Sequence, residues 1–206
     1  MKEKIKKILG FITFKNISKF FCAIIAITVI GMLGYRIFSI NYYPAAAKGV
    51  IATDALVESY KNGTLLGKTW KLSANYDADG EFFAYQPIYF ENENTFIVTI
   101  RYNNSVLEKL KFEGGGDAIP LFPVLKNDKG EKITSANYEY SKAFGLYSYR
   151  RYIFENVSLD DSESLNLNIY LTNDYDDSPY SSMTVYTDSF ITRDYKLTSS
   201  DKKTLS

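Results

Sequence analysis

The chain changes its hydrophobic pattern twice. Residues 20–40, FFCAIIAITVIGMLGYRIFSI, are almost continuously apolar, and no charge occurs from Phe20 to Tyr35. As an α-helix these 21 residues span about 31 Å, enough to cross the hydrocarbon core of a bilayer. Arg36 is the one charged residue in the run. Near a helix end it can snorkel to the headgroups, and eleven Leu, Ile, Val and Phe residues offset its cost by about 5 kcal/mol. The expected element is a transmembrane helix over 20–40 that stays in place as a signal anchor. The small residues of Ala45-x-Ala47 would suit a signal-peptide cleavage site before Lys48. Against removal, the 19 residues before Phe20 and the gap from Tyr35 to Ala47 are long for a cleaved signal.

Beyond the apolar run the period changes. Residues 41–66 read as a stalk holding one short helix in ATDALVESYKNG, with Thr53 or Asp54 to cap it and Gly63 to end it. From 67 to 198 the two-residue period of strands dominates. TFIVTIRY places Phe96, Val98, Ile100 and Tyr102 on one face. LNLNIYL sets Leu165, Leu167, Ile169 and Leu171 against Asn166, Asn168 and Tyr170, the mark of a strand with one wet face. EKITSANYEY reads as one strand, NNSVLEKLKF as a brief helix with a Ser105–Glu108 capping box, and SSDKKTLS, 199–206, as a C-terminal tail. Turn signals such as DADG and NDKG separate the strands. Eight or nine strands with two minor helices predict a mainly β chain, an antiparallel β-sandwich of immunoglobulin-like kind preceded by one transmembrane helix.

Charge adds an orientation. Residues 1–19 carry six lysines against Glu3, whereas 49–206 carry sixteen basic and twenty-three acidic side chains. The positive-inside rule places 1–19 in the cytoplasm and the large domain outside the cell membrane. Ile5, Ile8, Leu9 and Ile12 recur at helical spacing, so this basic tail is expected either to lie on the inner leaflet as an amphipathic helix or to remain a tail that only sets topology.

Composition narrows the chemistry. There is no histidine, and the single cysteine, Cys22, lies in the apolar run. Catalysis through a Ser-His-Asp or Cys-His pair is therefore excluded, as are zinc sites of Cys and His, and no cofactor is expected. Lys and Arg are not clustered in the large domain, which argues against nucleic acid as a partner. The remaining partners are the lipid bilayer and another envelope protein or a cell-wall polymer. Frequent Lys, Asn, Ile, Tyr and Phe with no disulfide suit a Gram-positive source of AT-rich genome. An anchor followed by strands resembles, in architecture alone, the single-pass envelope proteins of such bacteria that carry an immunoglobulin-like outer domain.

Two stretches offer candidate sites. In LYSYRRYIF the alternation sets Tyr147, Tyr149 and Arg151 on one face and Arg150 and Tyr152 on the other. An outward Tyr/Arg face, with Arg101 as a further candidate, suits a protein partner or an anionic polymer. The alternative is a tyrosine-rich strand whose arginines pair with acidic loops. In NYDADGEFFAYQ, Asn75, Asp77 and Asp79 stand at the first, third and fifth positions of a calcium loop, with Gly80 sixth. Gln86 stands where a bidentate Glu belongs, and a hairpin turn is the favoured reading. The function expected from all this is non-catalytic, a binding or accessory module of the envelope. The alternatives are a carboxylate-based envelope enzyme and a calcium-stabilised adhesion module.

Overall fold

A computed structural model describes residues 14–41, 49–109, 121–135, 137–143, 147–160, 162–172, 174–175 and 178–206. Most of the basic tail and the Ala47–Lys48 junction lie outside the described residues. The chain divides into two compact units, residues 1–42 and 43–206.

The first unit holds one helix, α1, Phe14–Asn41. Its stretch Ile17–Phe38 has a mean hydropathy of 2.1 and buries none of its residues against protein. It is long and apolar enough to cross a membrane.

The second unit is mainly β and antiparallel throughout. A helix, α2 (Asp54–Asn62), comes first. Thr53 caps it by accepting from Leu56 N, and Gly63 ends it at φ 71°. Strands β1 (Gly67–Thr69), β2 (Phe82–Ala84), β3 (Ile88–Phe90) and β4 (Thr95–Asn103) follow. The helix α3 (Asn104–Lys109) starts one residue before the expected capping box. Asn103 caps it, its side-chain oxygen accepting from Ser105 N. Then come β5 (Phe122–Asn127), β6 (Lys132–Thr134), β7 (Asn137–Ala143), β8 (Tyr147–Phe154), β9 (Ser164–Tyr170), β10 (Ser181–Thr187) and β11 (Arg193–Asp194). A last helix, α4, spans Ser199–Leu205.

The strands form two sheets. A seven-stranded sheet has the order β11-β1-β3-β4-β8-β7, with β2 also paired to β4, and a four-stranded sheet has the order β10-β9-β5-β6. EKITSANYEY is therefore not one strand. Its first half is β6 of the small sheet and its second half is β7 of the large one. Trp70, which follows the short β1, is a core residue.

One cluster joins both sheets: Phe96, Val98 and Tyr152 from the large sheet meet Leu125, Leu167 and Val185 from the small one. Trp70 ties them, packing 5.2 Å from the Tyr186 ring and donating from Nε1 to Val185 O at 2.7 Å. The opposite face of the large sheet is covered at one end by a second cluster, where Leu56 of α2 and Leu205 of α4 meet Ile97 and Ile153.

The C-terminal residues 199–206 are thus no tail. Thr198 and Asp201 form a capping box that starts α4, and Leu205 is buried. Asp201, 2% exposed, accepts from Val50 N, Thr198 N, Thr198 Oγ1 and Tyr195 OH at 2.7–2.9 Å. Burial would raise its pKa, but these donors outweigh burial and lower it. The carboxylate also explains Gly49, whose φ is 85°. A Cβ there would overlap Asp201. The start and the end of the β unit are thereby joined.

Candidate functional site

The sequence-predicted Tyr/Arg site lies on β8 of the large sheet, between β4 and the terminal strand β7. The alternation is observed, but neither face opens to solvent. Arg150, 2% exposed, and Tyr152, fully buried, face the core beside Tyr102. Burial would lower the Arg150 pKa. The oxygens of Tyr152 and Tyr102 outweigh that effect, and the net direction is upward, so the guanidinium stays charged. On the other face, the register sets Arg151 between Thr99 of β4 and Glu139 of β7.

Arg101 stands opposite Tyr149 on that face. Its guanidinium lies 4.7 Å from the Phe83 ring centre and 4.6 Å from that of Tyr147, and it donates to Tyr76 OH at 3.2 Å. Tyr85 closes on Tyr149 with ring centres 6.1 Å apart. Burial raises the Tyr149 pKa, against the Tyr85 hydrogen bond and the Arg101 charge. The expected outward face is therefore a closed arginine–aromatic layer. Arg101, the further candidate for that outward face, is 4% exposed at its centre. Among the described residues of this layer, Tyr147, Phe83, Tyr85 and Tyr76 reach the surface in part.

The calcium-loop pattern resolves into a turn. Asp77 Oδ1 accepts from Glu81 N and Phe82 N at 2.8 and 3.1 Å, and its Oδ2 accepts from Ser181 Oγ at 2.8 Å. Gly80 takes φ 69°, and Asn75 pairs its side-chain nitrogen with Ala84 O. Asp79 is exposed, and Gln86 turns away to donate to Thr69 Oγ1. Asn75, Asp77 and Asp79 thus do not converge around one point. Asp77 closes the hairpin and ties it to β10 instead.

A site the sequence did not single out lies on the outer face of the small sheet. Its residues follow from register. In one row, Thr184, Asn166, Lys126 and Lys132 stand side by side on β10, β9, β5 and β6. In the next row, Ser182, Asn168 and Val124 do so. Thr184 Oγ1 donates to Asn166 Oδ1 at 2.8 Å, and Ser182 Oγ donates to Asn168 Oδ1 at 2.7 Å. Both amide oxygens are occupied, and neither amide nitrogen meets a partner among the described residues. The chain beyond β9 walls one side. Tyr175 packs on Tyr170 with ring centres 5.3 Å apart, and Lys132 Nζ donates to Tyr175 O at 2.5 Å. The result is a cleft of about 590 Å³, within the range of ligand sites. Asp128 stands at its end, held by Glu163 N at 2.9 Å. Asn168 is only 5% exposed, so its polar group is held in place and not merely solvated.

A second concavity, about 560 Å³, borders Lys68, Glu91 and Asp160. Its aromatic floor of Trp70 and Tyr186 already belongs to the packing between the sheets.

The alternation of β9 was legible in the sequence, but its outer face is less wet than expected, with Asn168 and Tyr170 nearly buried and Asn166 half-buried. The cleft was not legible, because Lys132 and Tyr175 reach it from segments whose placement no local pattern specifies. No protein-family model, curated protein or solved structure matches this chain, so its site is read from its own geometry.

Proposed function

We propose that the protein is a single-pass, membrane-anchored binding module of the bacterial cell envelope, with its N-terminus in the cytoplasm and an antiparallel β-sandwich outside. The wholly unburied apolar face of α1 and the charge contrast across it support the anchor and its orientation. The core shared by the two antiparallel sheets supports a sandwich of immunoglobulin-like kind. The function is non-catalytic: the domain holds an envelope component, a wall polymer, close to the membrane.

The observation that carries the binding role is the cleft of the small sheet. Its floor joins a nearly buried amide, its hydroxyl partner and a lysine in one fixed array. Such an array can orient a ligand. The test is sedimentation of the full-length protein, held in detergent micelles, with purified cell-wall sacculi. The protein is expected in the pellet. A protein that stays wholly in the supernatant contradicts the reading.

A further inference from the structure

We infer that the cleft on the four-stranded sheet binds a saccharide chain, with sugar hydroxyls held by Asn166, Asn168 and Lys126 and a ring laid against Tyr175. The inference rests on the binding-module reading above and adds the ligand's chemistry.

The donors decide the class. Asn166 and Asn168 turn their oxygens toward Thr184 and Ser182, which leaves their N–H groups to meet a ligand. Two residues along a strand places them about 6.7 Å apart, a spacing on the scale of one sugar ring with its hydroxyls. Lys126, exposed in the row of Asn166, adds a third donor. Hydroxyl and ring oxygens accept from all three. Asp128 at the end of the cleft supplies an acceptor for hydroxyl protons. The half-buried Tyr175, braced by Tyr170, offers an aromatic surface to the C–H face of a sugar.

Other classes fit less well. A peptide adding as a strand needs an open backbone edge, and this cleft lies on a sheet face. A polyanion needs unbalanced cations. Here the two lysines that line the cleft, Lys126 and Lys132, share it with the carboxylate of Asp128.

The experiment uses the full-length protein in micelles and two solid probes: wall sacculi freed of protein, and the same glycan strands after an amidase has removed their stem peptides. Soluble glycan fragments released by a muramidase serve as competitor. Retention on stripped strands, competed by the fragments, is expected. Lys126→Ala should weaken it about tenfold, and Asn168→Ala at least as much. Lys126 is exposed, so its variant should keep the parent melting temperature and separate lost binding from lost folding. Loss of retention once the peptides are removed would assign the cleft to a peptide and overturn the inference. Unchanged retention in both variants would also overturn it, while leaving the binding-module reading intact. A parent protein that binds neither probe would remove both.

Discussion

β4 and β9 are both central strands, yet their faces are covered to different extents. In β4, TFIVTIRYN, every residue up to Tyr102 is buried, because one face meets the small sheet and the other lies under helices and aromatic rings. In β9, SLNLNIY, Leu165, Leu167 and Ile169 enter the shared core, and Asn166 is left half-buried on the outer face. A strand enclosed on both faces can hide charge, provided rings and hydroxyls surround it. A strand whose outer face is covered only in part leaves some polar groups, here that of Asn166, within reach of a ligand. The arginines of β4 and β8 are therefore structural features, and the asparagines of β9 are the better candidates for recognition.

This contrast can be broken experimentally at several points. Trp70→Ala removes the ring that links the two sheets and leaves Val185 O without its donor. A loss of about 3–5 kcal/mol is expected in denaturant unfolding. Arg101→Ala should cost about 2–3 kcal/mol by the same measurement, because it empties the space between Phe83 and Tyr147 and removes two cation–π contacts. A loss under about 0.5 kcal/mol would mark Arg101 as an ordinary surface charge.

Asp201→Asn tests the junction of the two ends and should cost about 2 kcal/mol near neutral pH. The folded pKa of Asp201 is lowered, so its contribution is full above the unfolded carboxylate value of about 3.9. That contribution is lost as the pH falls through the folded value. Melting curves of parent and variant should therefore converge in acid and separate on return to neutrality.

Asn166→Ala alters a half-buried residue of the wet face and should change stability by no more than about 0.5 kcal/mol. The smallest effect expected is that of calcium. Asp77 gives both oxygens to protein donors, so melting temperatures with calcium and with a chelator should coincide.

The sequence revealed the parts of the fold where one period dominates. The apolar run over 20–40 falls within α1, which the structure extends to Phe14–Asn41. The Thr53–Gly63 helix matches its caps, and the alternation of 96–102 and 165–171 matches the core-facing residues. What it concealed was long-range. Ser135 ends the stretch where the chain leaves one sheet for the other, and nothing in EKITSANYEY marks the change. α4 depends on Asp201 meeting Val50, 151 residues earlier in the chain. LYSYRRYIF has the composition of a binding face, and only the small sheet on one side and the rings of Phe83 and Tyr85 on the other reveal that it is enclosed.

Protease added to intact cells carrying a C-terminal epitope tests the central claim most directly. An anchored outward domain predicts that the epitope is lost before lysis, while a fragment containing residues 14–41 stays with the membrane. An epitope protected until the cells are opened, or a chain recovered whole in the medium, would contradict the account.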